Sequence, residues 1–129
     1  MFAAKTLAMF IVATAVPLAA ASPTNDTAIQ GIDFWGQFCD DTGCSRNCGR
    51  SVRISNPGCL NEPGRRSIRF HGANVGKGDY ALVVSPSGSC PCQSSCSSVP
   101  HGTRCWSISN YRNARSFRFI SGHCNRNNC

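Results

Sequence analysis

The chain has 129 residues, with 13 Lys+Arg against six Asp+Glu, a formal net charge of +7, and ten cysteines. Its length fits one domain, and its one apolar run, about ten residues over 7–16, is half of the roughly twenty needed to cross a bilayer, so no membrane anchor is expected. From Ser22 onward, 18 of 108 residues are Leu, Ile, Val or Phe, below the roughly one-fifth expected of a chain that folds on its core alone, which excludes a fold without crosslinks.

Lys5, the run Leu7 to Val16, Pro17 and the small residues Ala19-Ala20-Ala21 have the order of a secretory signal, with cleavage expected after Ala21. Residues 22–30 follow as a polar, flexible N-terminal arm, and Asn25-Asp26-Thr27 within it is an acceptor pattern for N-glycosylation at Asn25. Residues 31–129 are then a single disulfide-stabilised domain. Lys5 leaves with the signal, so 12 cations remain against six acidic groups, a net +6, and eleven of the 12 are arginine. Arginine carries a planar fork of donors that meets phosphate or carboxylate in two places at once. The excess points to a polyanionic partner, and its plain alternative is a charge that keeps a small secreted domain in solution.

The first aromatic cluster, Asp33-Phe34-Trp35-Gly36-Gln37-Phe38-Cys39, offers Trp35 and Phe38 either as a platform for a flat ligand or as core aromatics beside a bridge. Five alternating segments follow between turn signals and are predicted to be strands: 51–55, 67–70, 80–84, 105–108 and 116–120. Asn56-Pro57-Gly58, Glu62-Pro63-Gly64, Gly76-Lys77-Gly78-Asp79 and Ser85-Pro86-Ser87-Gly88 punctuate them, and Ser94-Ser95 and Ser97-Ser98 read as polar turns. The class is therefore mostly β, a small disulfide-rich β-sandwich or small barrel. Period two turns Val52, Ile54, Ile68, Phe70, Phe117 and Phe119 inward and Arg53, Arg69 and Arg118 to solvent. If two of these strands are neighbours, their arginines form a cationic stripe, and Arg53, Arg69 and Arg118 are the candidate cationic face.

All ten cysteines, Cys39, Cys44, Cys48, Cys59, Cys90, Cys92, Cys96, Cys105, Cys124 and Cys129, lie in the domain, so five bridges and no free thiol are expected, with the pairing left open. Cys90-Pro91-Cys92, Cys96 and His101 have zinc-like spacing, but an oxidising compartment pairs thiols first, so no metal and no cofactor is expected. His71, His101, His123 and Glu62, with the arginines, hold the ingredients of a secreted ribonuclease without a recognisable spacing. A serine hydrolase is disfavoured because no G-x-S-x-G occurs.

The export signal, the ten cysteines and the blocks Phe34-Trp35-Gly36-Gln37-Phe38-Cys39, Asn56-Pro57-Gly58-Cys59-Leu60, Val83-Val84-Ser85-Pro86 and Ser116-Phe117-Arg118-Phe119-Ile120 together resemble the small secreted cysteine-rich proteins of filamentous fungi. Many of those are candidate effectors released toward a plant host or competing microbes. Asp79-Tyr80-Ala81-Leu82-Val83-Val84 and Tyr111 to Ile120 also resemble the double Greek key of βγ-crystallin-like antimicrobial proteins and killer toxins, which implies about eight strands in two sheets. This chain departs from that pattern in its greater number of cysteines and in the segment from Cys90 to Cys105, and it lacks that superfamily's calcium-binding pattern. The resemblance implies a secreted, monomeric, non-enzymatic effector or antimicrobial toxin. It would act through Arg53, Arg69 and Arg118 on an anionic cell-surface polysaccharide, on lipid head groups or on a host protein. A secreted ribonuclease or other extracellular hydrolase is the alternative.

Overall fold

Seven strands form two antiparallel sheets in the computed structural model, which describes residues 34–55 and 57–129. The export signal at 1–21, the arm at 22–30 and Asn25 lie outside the described residues. In chain order the strands are β1 (Trp35–Cys39), β2 (Val52–Arg53), β3 (Ser67–His71), β4 (Tyr80–Ser85), β5 (Ser95–Ser98), β6 (Cys105–Ser107) and β7 (Ser116–Ser121). One sheet has the order β2-β1-β3-β6 and the other β5-β4-β7.

Strands β2, β3, β4, β6 and β7 fall where the alternation predicts them, β2 only as two paired residues. Strand β1 is an addition, and it corrects the idea of an aromatic platform. Trp35 and Phe38 are three positions apart on a strand, so they face opposite ways: Phe38 is buried, whereas Trp35 is half-exposed and stacks on His71 at 5.9 Å. Strand β5 is the second correction. Ser95 to Ser98 pair along β4 instead of forming polar turns.

The inward residues of both sheets meet in one core, in which Phe34, Phe38, Ile54, Ile68, Phe70, Leu82, Val84, Phe117 and Phe119 are buried. Phe34 packs edge-on against Phe70 and Tyr80 with ring centres 5.8 and 5.9 Å away, and Phe38 reaches across to Phe117 at 5.1 Å. Full burial of each such side chain contributes about 1.5–3 kcal/mol. Gly76 is also required by packing, because its φ is +74° and a Cβ there would stand 1.9 Å from the backbone nitrogen of Gly102.

The two halves of the chain are interlocked. Leu60 lies between β2 and β3 in sequence but pairs with Phe117 beside β7, while β6 from the second half adds to β3 of the first. Each half thus places its first, second and fourth segments in one sheet and sends its third to the other.

Five disulfides staple this arrangement: Cys39–Cys48, Cys44–Cys105, Cys59–Cys90, Cys92–Cys129 and Cys96–Cys124. No cysteine is free. Cys90, Cys92 and Cys96, the thiols with zinc-like spacing, are thereby all engaged. Two of the bridges hold the C-terminal segment, where Gln93 Nε2 also donates to the carbonyl of Asn125 at 2.6 Å and to Asn127 Oδ1 at 2.8 Å. The segment is tied to the outer face of β4 and β5, where Ala81 and Val83 point away from the core yet are buried. No helix among the described residues is long and apolar enough to cross a membrane.

Candidate functional site

Arg53, Arg69 and Arg118 are each exposed, as the alternation requires, but they do not share a face. Arg53 pairs across the sheet with Trp35, and Arg69 with Gln37 and Cys105, so both stand on the outer surface of the four-stranded sheet. Arg118 stands opposite Val83 on the outer surface of the other sheet. When two sheets pack face to face, their outward residues point in opposite directions. The cationic face expected from the sequence is therefore split between the two sheets. Arg69 keeps a different companion, because it lines a depression of about 270 Å³ with Arg104 and His71.

The histidines and Glu62 are also dispersed among separate partners. His71 Nε2 lies 2.8 Å from Ser51 Oγ, and His101 Nε2 lies 3.3 Å from Asp79 Oδ1. His123 is exposed in the C-terminal segment, and Glu62 accepts from Arg65 Nε at 2.7 Å. Arg65 is a structural cation. Its Nη1 donates to Asp40 Oδ1 at 3.0 Å and to the Asn47 carbonyl at 2.6 Å, which ties the loop after β1 to the segment before β3.

That loop contains a second polar anchor. Asp41 accepts hydrogen bonds from the Ser45 hydroxyl at 2.6 Å and from the backbone N–H groups of Ser45 and Arg46, each at 2.9 Å. These donors, the Ser45 hydroxyl foremost, hold its carboxyl well below the usual carboxylate range.

A cluster of cationic side chains around a concave surface lies at the end of the sandwich where β3 and β7 begin and β4 ends. Three adjoining depressions, of about 370, 340 and 610 Å³, all share Arg112. Gly64, Arg65 and Arg66 border the first, and Pro63, Gly64 and Arg115 border the third. Pro86, Asn113 and Ala114 are common to the second and third. No acidic side chain lines any of them, and Arg66, Arg112 and Arg115 have no ion-pair partner among the described residues.

Backbone pairing fixes this trough. Arg66 N donates to the Cys39 carbonyl at 2.9 Å, and its own carbonyl accepts from Ile108 N at 2.9 Å. Ile108 and Ala114 are buried at either end of the loop that holds the 3₁₀ turn Ser109–Tyr111, so Arg112 and Asn113 between them are pushed outward. Arg115 N donates to the Ser85 carbonyl at 3.0 Å, and the Tyr111 hydroxyl bonds Ser97. Arg112 lies in a turn, and Arg66 and Arg115 immediately precede β3 and β7, all three outside the alternating segments that the sequence could orient. Their only sequence signal is the recurrence of arginine at 65–66 and at 112 and 115.

In comparisons with known proteins, the chain matches no family model, no curated protein and no solved structure.

Proposed function

We propose that the protein is exported and acts outside the cell as a non-enzymatic effector or antimicrobial toxin-like protein, docking through the Arg66, Arg112 and Arg115 trough on the anionic surface of a host or competitor cell. The observation that carries this reading is the trough itself, in which three exposed guanidinium groups line adjoining depressions that no acidic side chain lines. Isolated exposed charge pairs are each worth only about 0.2–1 kcal/mol, so useful affinity needs several acting together, as a shared cleft allows. Five bridges and the absence of a membrane-crossing helix among the described residues are compatible with an extracellular protein. The separate partners of His71, His101 and Glu62 favour binding over acid–base chemistry. The interlocked strand order supports the double Greek key form of the sandwich.

The test applies purified, oxidised protein to plant and microbial cell surfaces and, separately, to RNA. The reading expects retention on one of the surfaces and intact RNA. RNA degradation that disappears when His71, His101 or His123 is replaced would make the protein a ribonuclease instead.

A further inference from the structure

The shape and lining of the trough go further than charge, and we infer that it takes a chain of carboxylated sugars, an acidic polysaccharide of uronate type, laid across Arg112. This rests on the docking role proposed above. A linear ligand fits because the depressions adjoin and share Arg112, with Arg66 toward one end and Arg115 toward another. A single small anion would fill one depression and leave a cation of another unused, Arg115 if it sat in the first and Arg66 if it sat in the third.

Carboxylates match arginine in particular, since a planar pair of oxygens meets the planar fork of donors in two parallel hydrogen bonds. Neutral donors and acceptors stand beside the cations. Asn110 and Asn113 line the second depression, and Ser109 lines the first. Side-chain amides and hydroxyls of this kind both donate and accept, which suits the hydroxyls of a sugar.

A lipid surface fits less well. Interfacial binding needs large apolar side chains to insert below the head groups, and the exposed apolar residues here are only Pro63 and Pro86. The one aromatic at the site, Tyr111, is half-buried and engaged with Ser97. The surface is also concave, which suits a strand of polymer better than a flat bilayer.

Binding of the oxidised protein to polygalacturonate, to its fully methyl-esterified form, to dextran sulfate and to vesicles of phosphatidylserine in phosphatidylcholine tests the inference. Polygalacturonate should bind, and esterification, which removes the charge and keeps the sugar, should abolish binding. Oligomers of galacturonate should compete, and the monomer at equal carboxylate concentration should not. Arg112→Gln should weaken polygalacturonate binding by about three-fold or more, as expected for loss of one exposed charge contact in a multidentate site, with the melting temperature unchanged. Tighter binding to dextran sulfate or to the vesicles, equal binding to the esterified polymer, or competition by the monomer would each overturn the uronate assignment while leaving an anionic docking role standing. Binding to none of the four would overturn both.

Discussion

Leu60 and Phe117 exchange both of their backbone hydrogen bonds, each 2.8 Å from nitrogen to oxygen, although 57 positions separate them in the chain (117 against 60). This pair fastens the segment leading to Pro63–Arg66 beside the strand that begins just after Arg115. It therefore joins the two halves of the sandwich and both sides of the trough. Leu60→Pro removes the donated N–H and leaves the Phe117 carbonyl without its partner. A loss of about 1–3 kcal/mol is expected, or roughly 4–8 °C in Tm for each kcal/mol in a domain of this size. Thermal denaturation followed by circular dichroism checks it. A Tm equal to that of the parent would mean that the Leu60 pairing does not hold the halves together.

Removing the Cys96–Cys124 bridge by replacing both cysteines with serine should cost about 2–5 kcal/mol. It should also uncover the outer face of β4, where Ala81 and Val83 are buried. Denaturant unfolding gives the first quantity, and hydrogen exchange at the amides of β4 and β5 gives the second. Protection unchanged in these strands would show that the C-terminal segment does not cover them. In the parent, five bridges predict an intact mass ten hydrogens below that of the reduced chain and no alkylation without prior reduction.

The Asp41 carboxylate should make part of the stability depend on pH. Its folded-state pKa is depressed by the Ser45 and Arg46 donors, so the ionised form is favoured in the folded chain. The contribution is then fully present above the ordinary aspartate pKa of about 4 and is lost as pH falls through the lower folded value. Asp41→Asn should lower Tm at pH 7. The gap between variant and parent should narrow as the medium is acidified below about pH 4. A gap that stays constant across that range would show that the charge on Asp41 contributes nothing through these bonds.

Much of the sandwich was legible because its strands alternate strictly. Ile68 with Phe70 and Phe117 with Phe119 each bracket an arginine, and burial follows that alternation in both strands. Strand β5 was hidden because Ser95, Ser97 and Ser98 carry no apolar signal, and its pairing depends on β4 and on the bridge from Cys96. Strand β1 was hidden by its aromatic content, which suits a ligand platform as well as a strand. The direction of each arginine on its own strand could be read, but the assignment of strands to sheets could not. Period two says which way Arg53, Arg69 and Arg118 point relative to their neighbours, and nothing in it reveals that β7 belongs to a different sheet from β3. The trough was hidden for a related reason. Arg66 comes to line one depression with Arg112 through its pairing with Ile108, which carries the β3–β6 register one step past both strands, and alternation within a strand does not reveal which strands pair.

The central claim is that the trough, and no outer sheet face, binds the polyanion. Retention on immobilised polygalacturonate, measured against salt, separates these surfaces when the parent is compared with two variants. One carries Arg66→Glu, Arg112→Glu and Arg115→Glu, and the other carries Arg53→Glu, Arg69→Glu and Arg118→Glu. The two make the same change in net charge, so a difference between them reports location. The trough variant should lose retention at about 0.05 M salt while keeping the parent's Tm, and the outer-face variant should elute close to the parent, with both retained less as screening increases. Equal losses in the two variants, or retention that depends on Arg53, Arg69 and Arg118 alone, would contradict the account.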